Sequence, residues 1–148
     1  MEGSLKRIYL KQPMKKVRIF IISWLPLIAY CIFIFALSSR PASEHISLLP
    51  YLDKFLHIMC YTLLGVLFFR AYLTLPFKNN INILIIAAIT SSTLYGISDE
   101  IHQAFVPSRY AGVADALADA VGSGLGVFGY HFFVNRGIDK VASDPPKF

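Results

Sequence analysis

Four separate apolar stretches, each close to the length needed to cross a lipid bilayer, dominate this chain. They run from about Val17 to Ser38, about Phe55 to Leu75, about Ile81 to Ser98 and about Val113 to Val134. A hydrocarbon core about 30 Å thick takes roughly 20 apolar residues as helix, because only a helix or a closed barrel satisfies every backbone polar group there. The composition agrees: 55% of the 148 residues are apolar and 16% charged, against about a quarter charged in a soluble domain. An all-α membrane protein with a bundle of four transmembrane helices is therefore expected. Three segments follow: a basic arm at 1–16, the membrane domain at 17–134, and a disordered tail at 135–148 that contains Pro145 and Pro146. Cys31 and Cys60 fall inside apolar runs, so they do not read as a disulfide framework.

Lysine and arginine set the expected orientation, since cytoplasmic segments keep the excess. The arm, the second connection and the tail hold eleven of them; the other side holds Arg40, Lys54 and Arg109. Both termini are thus expected on the cytoplasmic side. The net charge of +5 is then largely an orientation signal, with membrane lipid rather than nucleic acid as the partner, because no recognition module accompanies the basic arm. The first apolar run is longer than a usual signal-peptide core, which favours an uncleaved anchor, and Pro26 is expected to bend it locally.

With that orientation, three stretches deliver ionisable groups to the outer level. Asp53 and His57 start the second helix, Asp99 to Gln103 end the third, and Asp115 and Asp119 start the fourth. Residues three and four apart share a helix face. Asp53, His57, Cys60 and Tyr61 then form one stripe, while Tyr95, Asp99, His102 and Gln103 form another with Glu100 at its edge. Asp115, Asp119, Gly122 and Gly126 form a third, in which the carboxylates run into a small-residue strip that admits another helix closely. A carboxylate at membrane depth costs about 2.5–3.5 kcal/mol unless relieved, so such a set points to an enclosed, wet pocket. Tyr51, Phe105 and Tyr110 read as interfacial belt residues, and His45 and His131 as ordinary interfacial residues.

Two chemistries suit the set. Histidines with carboxylates offer mixed nitrogen and oxygen ligands for a divalent metal, although no diagnostic metal-binding spacing is present. Alternatively, His and Asp pairs do general acid–base work without metal. Asp99, Glu100 and His102 are the candidate catalytic residues. Asp53, His57, Tyr61, Gln103, Asp115 and Asp119 are the candidate supporting or binding residues, and Arg109, after Pro107, is a candidate grip on a phosphate or carboxylate. Ser38 and Ser39 read as helix-end hydrogen-bonding residues. Asp53 and Asp115 also suit a helix first turn.

The pattern resembles the VanZ-like family of bacterial membrane proteins, named for a teicoplanin resistance protein. The carriers are Ser38-Ser39-x-Pro41, Asp53-Lys54-x-x-His57-x-x-x-Tyr61-x-x-x-Gly65, Tyr95-Gly96-x-x-Asp99-Glu100-x-His102-Gln103-x-Phe105-Val106-Pro107-x-Arg109, and Asp115-x-x-x-Asp119-x-x-Gly122. This chain departs from the family pattern at Arg40, where Gln is frequent, at Ser108, where Gly is frequent, and at Asp119, where Asn is frequent. The resemblance implies an integral protein of the cell envelope, connected in some members with reduced susceptibility to glycopeptides or lipoglycopeptides. The leading expectation is an envelope-modifying protein that handles a lipid-linked or phosphate-bearing substrate. The alternatives are a binding protein that alters access of a lipoglycopeptide to the membrane, its polar cluster being structural, or a small proton-coupled carrier.

Overall fold

The computed structural model describes residues 2–41, 52–76, 80–109 and 111–143, with side chains described at 17–41, 52–76, 80–109 and 111–134. Tyr51, Tyr110 and His45 lie outside the described residues. Among the described residues there are four helices: α1 (Glu2–Ser38), α2 (Leu52–Tyr72), α3 (Ile81–Gln103) and α4 (Val113–Ser143). All four are long and apolar enough to cross a membrane, over Val17–Ser38, Leu52–Tyr72, Ile81–Gln103 and Val113–Val134. No strand occurs among the described residues.

Local sequence explains the boundaries. Ser38 and Ser39 both donate their hydroxyls to Phe35 O and so close α1. Asn80 caps α3, its side chain accepting from Ile83 N. The apolar run of α3 ends near Ser98, yet the helix continues through the polar residues to Gln103; their side chains find internal partners there, which is what lets a helix carry them onward. At the other end of the chain α4 runs on to Ser143, into the segment whose composition predicts a disordered tail. Nothing before Pro145 removes a backbone donor, and the residue ahead of a proline disfavours helix. In the same way α1 begins at Glu2, inside the basic arm, and stays helical through Pro13 and Pro26.

Packing is closest between α2 and α4, and the reason is glycine. A Cβ on Gly122 would come within 2.5 Å of Ile58 O, and one on Gly126 would overlap Thr62 O. Gly65 on α2 reciprocates, where a Cβ would stand 2.6 Å from Ser123 O. The small-residue strip of α4 thus meets the backbone of α2, as its spacing predicts. Helix α1 packs on α2 and α3 by hydroxyl-to-carbonyl hydrogen bonds. Tyr95 donates to Cys31 O at 2.6 Å and Tyr30 to Cys60 O at 3.2 Å. A buried Ser92–Ser123 hydroxyl pair at 2.7 Å joins α3 to α4. Two apolar clusters fill the interior, one around Tyr61, Leu64 and Leu27, the other around Phe69, Leu84 and Val127. The large apolar residues left exposed, such as Ile32, Ile86 and Phe128, form the kind of outer surface that lipid covers.

Candidate functional site

The end of α1, the start of α2, the end of α3 and the start of α4 come together at one end of the bundle, and polar contacts tie them to each other. Lys54 of α2 holds Asp115 of α4 at 2.7 Å. Gly112 N, just ahead of α4, donates to Glu100 Oε2 of α3 at 2.9 Å. Arg109, in the α3–α4 connection, donates through Nε to Arg40 O at 3.1 Å, at the end of α1. Three sequence-distant sets of acids are thereby brought to one depth.

At the centre stands His57. Its Nδ1 is 2.8 Å from Asp119 Oδ1 and 3.9 Å from Glu100 Oε1. The three residues come from α2, α4 and α3 respectively. Asp119 is 0% exposed and Glu100 6%. Room for the Asp119 carboxylate exists because residue 96 is glycine: a Cβ there would lie 2.6 Å from Asp119 Oδ2. The Tyr61 ring lies parallel to that of His57, its centre 6.3 Å away.

Beside this cluster opens a pocket of about 370 Å3. Asp53, His57, Tyr61, Asp99 and Gln103 supply its polar lining, Ile34, Leu37 and Leu56 its apolar wall, and Arg40, Pro41 and Arg109 its rim. Asp53, His57, Cys60 and Tyr61, which share a stripe by spacing, all line it. Asp99 and Gln103 are coupled through a Gln103 Nε2 to Asp99 Oδ2 hydrogen bond of 3.0 Å, one turn apart on α3.

His102 does not join this group. Its Nε2 is 3.0 Å from Ser39 Oγ and its ring packs 4.6 Å from that of Phe35. Asp99 and Gln103 already face the interior, and a step of about 100° per residue swings His102 toward α1. The imidazole that lies among the buried acids is that of His57. Arg109 lines the pocket, yet its guanidinium also reaches Arg40 O and Leu37 O, so part of its role is to hold α1 against the α3–α4 connection. Arg40 is the rim cation that spacing alone did not single out. It is exposed, lines the pocket, and has no ion-pair partner among the described residues. Phe105 is 82% exposed, as a belt residue would be.

The hydrogen-bond bookkeeping is uneven. Among the described residues, five buried side-chain atoms have no hydrogen-bond partner, and four of them are Tyr61 OH, Asp99 Oδ1, Glu100 Oε1 and Asp119 Oδ2. The exception, Thr93 Oγ1, belongs to neither the pocket nor the His57 cluster. Buried polar groups in folded proteins are nearly always satisfied, and each exception calls for a cause. Among the described residues, two triads have the ligand atoms to hold a metal ion: Asp53, His57 and Asp115, and His57, Glu100 and Asp119.

Fold and site together define a multi-pass helical membrane protein with a polar pocket at one end of its bundle. Residues 6–134 match the family described as VanZ/LLP1, and the chain belongs to that family. No curated protein and no solved structure matches the chain.

Proposed function

We propose that this VanZ/LLP1 protein works in the bacterial cell envelope, with both termini in the cytoplasm and the pocket opening at the outer face of the cytoplasmic membrane. There it receives the headgroup of a lipid-linked, phosphate-bearing amphiphile. The observation that carries this reading is a pair of buried, unsatisfied atoms on residues that line the pocket, Tyr61 OH and Asp99 Oδ1. A network kept only for folding would be closed on itself, since half-satisfied polar groups in a low-dielectric interior are costly. Here both open positions belong to residues that line a cavity.

The lining divides in the way an amphiphile does. Ile34, Leu37 and Leu56 offer an apolar wall to a lipid chain, and Arg40 offers a charge to a phosphate at the rim. Arginine presents several donors in a plane that matches phosphate oxygens. His57 sits between pocket and cluster. With Nδ1 engaged on the Asp119 side, Nε2 is the nitrogen free to exchange a proton with the bound headgroup. Chemistry on such a headgroup, or its sequestration, is how the chain would bear on glycopeptide or lipoglycopeptide susceptibility.

The test uses the full chain in lipid nanodiscs with tritiated hexadecyl phosphate as probe. Saturable binding is expected at about one per chain, displaced by unlabelled hexadecyl phosphate and not by hexadecanol, and weakened at least tenfold in Arg40→Ala. Equal displacement by the alcohol would overturn the phosphate reading.

A further inference from the structure

We infer that His57, Glu100 and Asp119 form a binding site for one divalent transition-metal ion of the Zn2+ or Mn2+ type. The ion would sit behind the pocket wall, with His57 shared between the two. This site stands whether or not the pocket takes a phosphate headgroup.

Geometry is the first argument. One ligand atom from each of the three residues lies within 4.8 Å of the others. Metal–ligand bonds of about 2.0–2.2 Å put neighbouring ligand atoms about 3 Å apart at right angles and about 4 Å apart across the ion. The observed separations of 2.8 Å from His57 Nδ1 to Asp119 Oδ1 and 3.9 Å to Glu100 Oε1 lie close to the spacings of a six-coordinate ion, which would take the place of the proton now shared by His57 and Asp119. The three donors come from three helices, so they are held by the bundle and not by a loop.

Unsatisfied atoms supply a second, independent argument. Glu100 Oε1 and Asp119 Oδ2 are buried without a partner, on side chains that are 6% and 0% exposed. Tyr61, 2% exposed and stacked parallel to His57, has its hydroxyl unpaired as well. The opposite oxygen of Glu100 is anchored by Gly112 N at 2.9 Å, the outer contact that orients a ligating carboxylate.

Charge gives the third. Asp99, Glu100 and Asp119 are all buried, with one imidazole among them. Lys54 already pairs with Asp115, and Arg109 is turned to main-chain carbonyls. Uncompensated buried charge is expensive, and two positive charges at the centre would offset most of it. The same reasoning selects between the triads, because Asp115 in the Asp53–His57–Asp115 set is neutralised by Lys54. One nitrogen with two carboxylates suits borderline cations and disfavours Mg2+ and Ca2+, which take oxygen alone.

Full-length protein in mild detergent, stripped with chelator and dialysed against low-micromolar Zn2+, should retain about one ion per chain by mass spectrometric metal analysis. Asp115→Asn should retain it as well. Glu100→Gln and Asp119→Asn, close in shape to the native residues, should each lower affinity at least tenfold while eluting as folded protein. Co2+ substitution should give visible absorption bands that vanish in His57→Gln. Wild-type protein that retains no ion above the level of a metal-free control overturns the proposal. So does ion loss in Asp53→Asn or Asp115→Asn with Glu100→Gln unaffected. Should the Glu100 and Asp119 variants aggregate, the stoichiometry and Co2+ spectrum of the wild type decide alone.

Discussion

His57 Nδ1 and Asp119 Oδ1 lie 2.8 Å apart across the closest helix pair of the bundle, α2 and α4. The bond is made one turn from Gly122, where the two backbones are in contact. The glycine strip and the imidazole–carboxylate pair are thus two parts of one arrangement. Close approach of the helices places the pair, and the absence of side chains on the strip allows that approach.

That pair carries a consequence for stability. Asp119 shares the interior with the carboxylates of Asp99 and Glu100, and like charges in a low-dielectric site repel. In chelator-stripped protein, Asp119→Asn keeps an acceptor for His57 and removes one of those charges. It should raise the thermal midpoint by about 3 °C, corresponding to about 1 kcal/mol for a chain of this size. A lowered midpoint, read by intrinsic fluorescence in detergent, would mark the cluster as a folding element.

Glycine at 126 is a packing requirement, while glycine at 124 is not. A Cβ at Gly126 would run into the Thr62 carbonyl, a backbone atom that cannot turn aside, whereas at Gly124 nothing lies within 4 Å. Gly126→Ala should cost about 2 kcal/mol or more through overpacking. Gly124→Ala should be neutral or stabilising by up to about 1 kcal/mol, the helix propensity difference. Unfolding in mixed detergent micelles measures both.

Ser108 has a φ of 64° in the turn after α3, a left-handed conformation that favours glycine. Ser108→Gly should stabilise the chain by about 1 kcal/mol, and Ser108→Val should destabilise it by more than that. The same unfolding titration reads the difference.

Orientation is open to direct labelling. With Cys31 and Cys60 replaced by alanine, Phe105→Cys at the pocket end should react with a membrane-impermeant maleimide in intact cells. Pro76→Cys, in the connection after α2, should react only after permeabilisation. The reverse pattern would place the pocket on the cytoplasmic side.

Much of this architecture is legible in the sequence because bilayer thickness imposes a length that hydropathy reveals. Helical spacing also identifies the faces: the Asp53, His57, Cys60 and Tyr61 stripe lines the pocket, and the Asp119, Gly122 and Gly126 stripe faces α2. Periodicity does not give the rotation of one helix relative to its neighbours. That is why the sequence puts His102 among the candidate catalytic residues and His57 only among the supporting ones, although His102 turns to Ser39 and Phe35. The central place of Asp119 and the rim position of Arg40 likewise depend on which helices touch, which no single helix records. Ser108 adopts its conformation within a connection, where spacing carries no signal.

The pocket's claim on a headgroup is tested most directly by nuclear magnetic resonance of full-length protein carrying 15N only in its histidines, with the His57 signal assigned from the His57→Gln variant. Adding hexadecyl phosphate should move the His57 ring resonances in a saturable way and leave those of His131, which lies against Phe69, in place. A His57 signal that stays fixed while the phosphate saturates the protein, or that moves equally with hexadecanol, would contradict the account.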